Sequence, residues 1–183
     1  MPEPGDAWFD DALRRARAGE PAGFDALVRH LDPKLVGFAR ARGADDPEGL
    51  ADDVLVQMCR SISTFEGNLA QLRAWVFTIA RNRLIDERRR AGRRVDALPV
   101  EPGSVPETPV VDPASVGVEE RERVERLLAS LTDEQREVVV LRVIVGLSVE
   151  ETARVVGRRA GAVRALQHRA LRQLRAELVG EEE

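Results

Sequence analysis

This chain of 183 residues has little that could cross-link, stack or span a membrane. A single cysteine, Cys59, excludes an internal disulfide and a cysteine-built zinc site. Aromatic residues make up 4% and tyrosine is absent, so strands built on aromatic and β-branched runs are not expected. No apolar run approaches the roughly 18 residues that a membrane helix needs. The opening stretch, MPEPGDAWFD, is acidic and unlike a signal peptide. No Ser-His-Asp set, metal-ligand cluster or phosphate loop can be found, and the glycine turns lack a following Lys-Ser or Lys-Thr. These absences predict a cytoplasmic protein that is not an enzyme. They predict no cofactor, no metal, no small-molecule substrate and no direct membrane insertion.

Lysine is also nearly missing. Of 28 basic residues, only Lys34 is not arginine. Arginine is the better fork for phosphate and guanine, although a GC-rich genome would supply the same bias. The net charge is −4, yet Thr152 to Ala176 holds seven arginines and no acidic residue. Apolar content of 43% and charge content of 33% suit a helical globular chain.

Residues 95–120 mark the clearest boundary, with five prolines, six acids and no base. Proline at that density stops helices and favours an extended tether. The predicted organisation is a tail over 1–19, a helical unit over 20–94, a flexible acidic linker over 95–120, a second helical unit over 121–178, and a tail over 179–183. The fold class is all-α: two small helical domains, the C-terminal one a helix-turn-helix.

In the first unit, Phe24, Leu27, Leu31, Leu35 and Phe38 recur at helical spacing, and Pro33 should kink or restart that helix. Val54, Met58, Ile62 and Phe65 form a second stripe. Asp45, Asp46, Glu48, Asp52 and Asp53 crowd nine residues without a base, a surface that repels DNA. It is either a solvated helix start or a docking face for a basic partner, with Val56 on the same side. Leu72, Val76 and Ile79 form a third stripe on a helix with a basic end. Cys59 reads as a packed, inert thiol.

The second unit is well punctuated. Thr132 with Gln135, and Ser148 with Glu151, have capping-box spacing, and Gly146 and Gly157 stand at helix ends. Two helices joined by a tight turn, the second long and basic, read as a helix-turn-helix. Val163, Leu166, Ala170 and Leu174 share one face of the second helix. Arg164, His168, Arg172 and Arg175 lie about a third of a turn away. A solvated face usually mixes signs to gain i,i+4 pairs, and this helix has no acid of its own until Glu177. Arg158 and Arg159 stand where a recognition helix enters the major groove. Ala160 stands where a hydroxyl would cap that helix better, by about 1 kcal/mol.

Taken together, "LRAWVFTIARNRLIDERRR" and "LTDEQREVVVLRVIVGLSVEETARVVGRRAGAVRALQHRALRQLR" resemble a bacterial sigma factor of the two-domain extracytoplasmic-function group. The resemblance spans about residues 20–94 and 121–178. It implies a subunit that binds core RNA polymerase, directs it to promoter DNA and helps melt the minus-10 region. Asp52, Asp53, Gln57 and Arg60 would dock on a β′ coiled coil of the polymerase, and the β flap is a further expected polymerase contact. Asn68, Arg73, Arg81, Asn82, Asp86 and Arg89 would meet the minus-10 strand. Arg158, Arg159, Arg164, His168 and Arg172 would read the minus-35 element. The linker's acids would mimic a nucleic-acid strand, and an anti-sigma factor is an expected partner. Val56 and Gln57 depart from a Gln-Glu pair common in the family. Two other readings stay open at this point: a free-standing helix-turn-helix regulator, and a sigma-like interaction protein without promoter activity.

Overall fold

A computed structural model describes residues 7–96 and 118–180. Every regular element among them is helical: α1 Ala7–Arg17, α2 Pro21–Ala41, α3 Pro47–Ser61, α4 Leu69–Asp96, α5 Val118–Ala129, α6 Asp133–Val139, α7 Val149–Val156 and α8 Ala160–Gly180. The proline-rich part of the acidic stretch lies outside the described residues.

The segment before residue 20, read as a tail, contains α1. Phe9, Ala12, Leu13 and Ala16 fall one helical turn apart and are all buried. They pack on α2, which passes so close that a Cβ at Gly23 would lie 2.7 Å from the Ala12 carbonyl oxygen. Helix α2 does not restart at Pro33; it runs through to Ala41. The ring removes one backbone bond, but Leu31, Leu35 and Phe38 on either side are fully buried and hold both halves to one core. Pro33 itself faces solvent.

Asp46 caps α3, accepting from the Gly49 N–H at 2.9 Å. Val54 and Met58 form its buried stripe, and Ile62 continues it in the short 3-10 turn Ile62–Thr64 that follows. Cys59 is half-buried beside it, and burial raises its thiol pKa. Helix α4 opens with a reciprocal cap: Gln71 N–H donates to Asn68 Oδ1, and Asn68 N–H to Gln71 Oε1, both at 2.9 Å. Phe77, Ala80 and Leu84 of α4 are buried, as are Leu72 and Val76. Apolar surface therefore wraps around much of this helix.

Both expected capping boxes form, at Thr132–Gln135 and at Ser148–Glu151. After α6 the chain widens into a π-helical turn, Val140–Ile144, before Gly146 reverses it at φ +75°. The widening turns Val143 outward, leaving it 62% exposed, while Leu141 and Val145 stay buried. Gly157 ends α7 in the left-handed region at φ +66°, a conformation that glycine adopts at little cost.

The two helical units are not separate bodies. One continuous core runs from Phe9 and Phe77 to Leu131, Leu141, Leu147 and Ala170. Helix α4 lies against α7, and α2 lies against the π turn. Small units have thin cores, and here each lends apolar surface to the other.

Candidate nucleic-acid interface

The basic face of α8 follows from its local sequence. Val163, Leu166 and Ala170 point inward and are buried. That leaves Arg164, His168, Arg169, Arg172 and Arg175 exposed, with Arg158 and Arg159 exposed just before the helix. The Arg159 carbonyl accepts from Ala162 and Val163, so Arg159, not Ala160, holds the N-cap position. The expectation of a cap at Ala160 was one residue late. The helix also finds acids that its own sequence lacks. Arg164 donates to Glu150 at 3.1 Å, and Arg158 donates to Glu134. Both acids come from other helices, which a periodicity within α8 could not reveal.

The residues expected at the minus-10 strand do not form one surface. At 100° per residue, Asn82, Asp86 and Arg89 share the outer side of α4, and Arg73 lies roughly opposite them. Asn82, Asp86 and Arg89 are exposed. Arg73 instead turns toward the second unit. Its Nη2 donates to the Gly146 carbonyl at 2.5 Å, and its Nε lies 3.8 Å from Glu151. Arg81 Nε donates to Glu137 Oε1 at 2.9 Å. Asn68 spends its side-chain oxygen on the α4 cap.

Sequence reasoning missed Arg42, which is 5% exposed. Its Nη1 donates to the Asp133 carbonyl at 3.0 Å, and its Nη2 lies 3.8 Å from Glu137. Burial pulls its guanidinium below the usual arginine range, against the opposing effect of Glu137. No local pattern marks Arg42, because its partners lie across the interface between the two units.

The residues expected to meet polymerase do gather. Asp52, Asp53, Gln57 and Arg60 are all exposed on α3, and Val56 beside them is 47% exposed. Arg83, also missed, reaches over from α4. It donates to Asp53 at 2.6 Å and to Gln57 at 3.3 Å. A cleft of about 500 Å³ lined by Asp45, Asp46, Asp53, Glu87 and Arg90 adjoins this face.

With that geometry in view, comparison with known proteins is decisive. The family of sigma-70 region 2 matches residues 27–94, and that of sigma-70 region 4 matches residues 121–174. The ECF RNA polymerase sigma factor ShbA of Streptomyces griseus is 35% identical, over 90% of this chain and 92% of its own. The chain belongs to the ECF RNA polymerase sigma factors. SigD of Mycobacterium tuberculosis, another of them, is 37% identical over 93% of this chain and 84% of its own. As a sigma factor, the protein binds core RNA polymerase and promoter DNA and initiates transcription; it is not itself an enzyme.

Two solved structures share the fold. One is CnrH in complex with the cytosolic domain of CnrY, with TM-score 0.67 and 27% identity, covering 92% of this chain and 96% of that one. The other is RpoE of Bartonella quintana with the anti-sigma factor NepR, with TM-score 0.70 and 29% identity, covering 85% and 96%. Among the described residues no helix is long and apolar enough to cross a membrane.

Proposed function

We propose that the sigma factor divides promoter recognition between its two units. The second unit reads the upstream minus-35 element as a helix-turn-helix, and the first handles the minus-10 strand and polymerase docking. The observation that carries this reading is the arginine face of α8, exposed immediately after the left-handed turn at Gly157. A helix presented in that way fits the major groove by its N-terminal turns. Arg158, Arg159, Arg164, His168 and Arg172 are the proposed contacts there. Asn82, Asp86 and Arg89 suit the minus-10 strand as they stand, and Arg73 and Arg81 once the units part. Melted DNA needs a basic track and room for unstacked bases.

Asp52, Asp53, Gln57 and Arg60 form the proposed docking face for the polymerase β′ coiled coil, with Val56 adding an apolar contact. The second unit lies near the β flap, and the acidic stretch 95–120 joins the two. The similar structures that hold CnrY and NepR support an anti-sigma factor as a partner here too. The protein would act in the cytoplasm.

The test is in-vitro transcription with core polymerase on a promoter library, with and without the protein. New start sites are expected. A start-site profile equal to that of core polymerase alone refutes the reading.

A further inference from the structure

Lys34 is the one lysine of the chain, and its amine does not stand alone in water. His30 lies one turn earlier on α2, and Lys34 Nζ donates to its Nε2 at 2.9 Å. Trp8 of α1 holds the imidazole in turn, with 4.8 Å between ring centres. Leu31 and Leu35 beside Lys34 are fully buried, and the lysine is itself half-buried. Arg73 of α4 faces the amine as a like charge. Burial, with that repulsion, pulls the ammonium below the usual lysine range. An ordinary surface lysine stays protonated at neutral pH and is a poor nucleophile. A lysine desolvated beside another cation is activated, and here a base also stands within reach of its proton. The imidazole borders open space. With Trp8, Asp25 and Arg29 it lines a cleft of about 510 Å³, where Arg29 offers a cation beside the Asp25 carboxylate.

We propose that Lys34 is an acylation site: its amine takes an acyl group from a small anionic donor, an acyl phosphate or an acyl thioester, with His30 as the base. The step needs no further reagent. Lys34 gives one proton to His30 Nε2, which passes it to water. The freed lone pair forms the N–C bond at the acyl carbon. The C–O bond of the acyl phosphate, or the C–S bond of the thioester, breaks, and its electrons leave with phosphate or thiolate. The second N–H proton follows the first through His30, and a neutral amide remains. Acylation thereby removes the charge that faces Arg73. Helix α2 keeps its place, because Leu31, Leu35 and Phe38 still hold it to the core.

The test follows the peptide that carries Lys34 by mass spectrometry. The full chain is incubated at neutral pH with acetyl phosphate or, separately, with acetyl coenzyme A. The same chain unfolded in urea gives the rate of the bare side chain. A positioned base contributes about 100-fold or more inside an enzyme site, and on this open surface native Lys34 should react about tenfold faster than in urea. A faster native rate with either donor supports the site, and the ratio between donors shows which leaving group it takes. His30→Gln keeps an acceptor for the amine but no group that holds a proton at neutral pH. It should bring the native rate down to that in urea, with circular dichroism checking that the variant is folded. A native rate equal to or below the urea rate with both donors overturns the proposal. So does a folded His30→Gln chain that reacts as fast as the parent, since His30 then is not the base. Should the variant fail to fold, the comparison of native and unfolded parent still decides whether Lys34 is activated.

Discussion

Replacing Arg164 and Arg172 by alanine tests how α8 meets DNA. The cost to the free protein should be small. Arg164 is paired with Glu150 at 3.1 Å, but the two side chains are 62% and 60% exposed, so the pair is worth at most about 1 kcal/mol. At roughly 2–4 °C per kcal/mol for a chain this long, melting should fall by no more than about 4 °C. On DNA the loss is larger. An arginine that grips one base by two hydrogen bonds contributes about 1–3 kcal/mol of discrimination, a preference of about 5- to 150-fold. The two arginines are eight residues apart, about 12 Å along the helix. With base pairs about 3.4 Å apart, they cannot read the same one. Single substitutions should therefore relax promoter preference at different positions, roughly three or four base pairs apart. The assay is single-round transcription on promoters altered one base at a time in the upstream element, with thermal melting in parallel. Uniform loss on every promoter, with the salt dependence reduced by about one unit of slope per arginine, would refute base reading and make both residues phosphate contacts.

Other expectations follow from single residues. Asp52→Lys should weaken core polymerase binding about tenfold through slower association, measured by surface plasmon resonance, with melting shifted by no more than about 2 °C. Gly23→Ala should lower the melting temperature by about 2–12 °C. The new methyl meets the backbone of α1, and overpacking of this kind costs about 1–3 kcal/mol. Ser148→Ala and Thr132→Ala should each cost about 1 kcal/mol in urea unfolding, since each removes a hydroxyl that caps a helix. Arg159→Ser should add stability by a similar mechanism, and Ala160→Ser should not; the same unfolding curves compare them.

The local rules were legible in the sequence because they act over three or four residues. Thr132, Ser148 and Gly157 sit where the caps and the turn were expected, and so do the buried stripes of α2, α3 and α8. The family resemblance followed from the same stretches. Helix α1 was legible too, since Phe9, Leu13 and Ala16 keep helical spacing and are buried. The π turn after Val139 was not legible. It depends on fitting Val140, Leu141 and Val145 into a core shared with the first unit, and no sequence period encodes that. Nor was the pairing of Arg81 with Glu137, 56 residues away, or of Arg42 with the Asp133 carbonyl, 91 residues away. Charge patterning shows how much of each sign a segment carries, and not which partner the fold supplies.

That distinction changes what the chain's divided charge means. Composition alone assigns acid to polymerase docking and arginine to DNA. The structure adds a second use, in which the protein's own carboxylates satisfy the inward arginines of α4. Arg164 and Arg158 repeat it at the surface, paired with Glu150 and Glu134. The two cases differ in burial, and burial sets the consequence. An exposed pair exchanges its acid for a phosphate at little cost, because water screens both arrangements. The pairs at Glu137 and Glu151 cannot exchange singly. Taking away one partner leaves a desolvated charge, so the whole contact of α4 with α6 and α7 must open at once. Recognition by α8 should therefore be graded, one arginine at a time. Engagement of α4 should be all-or-none, and set by whatever separates the two units.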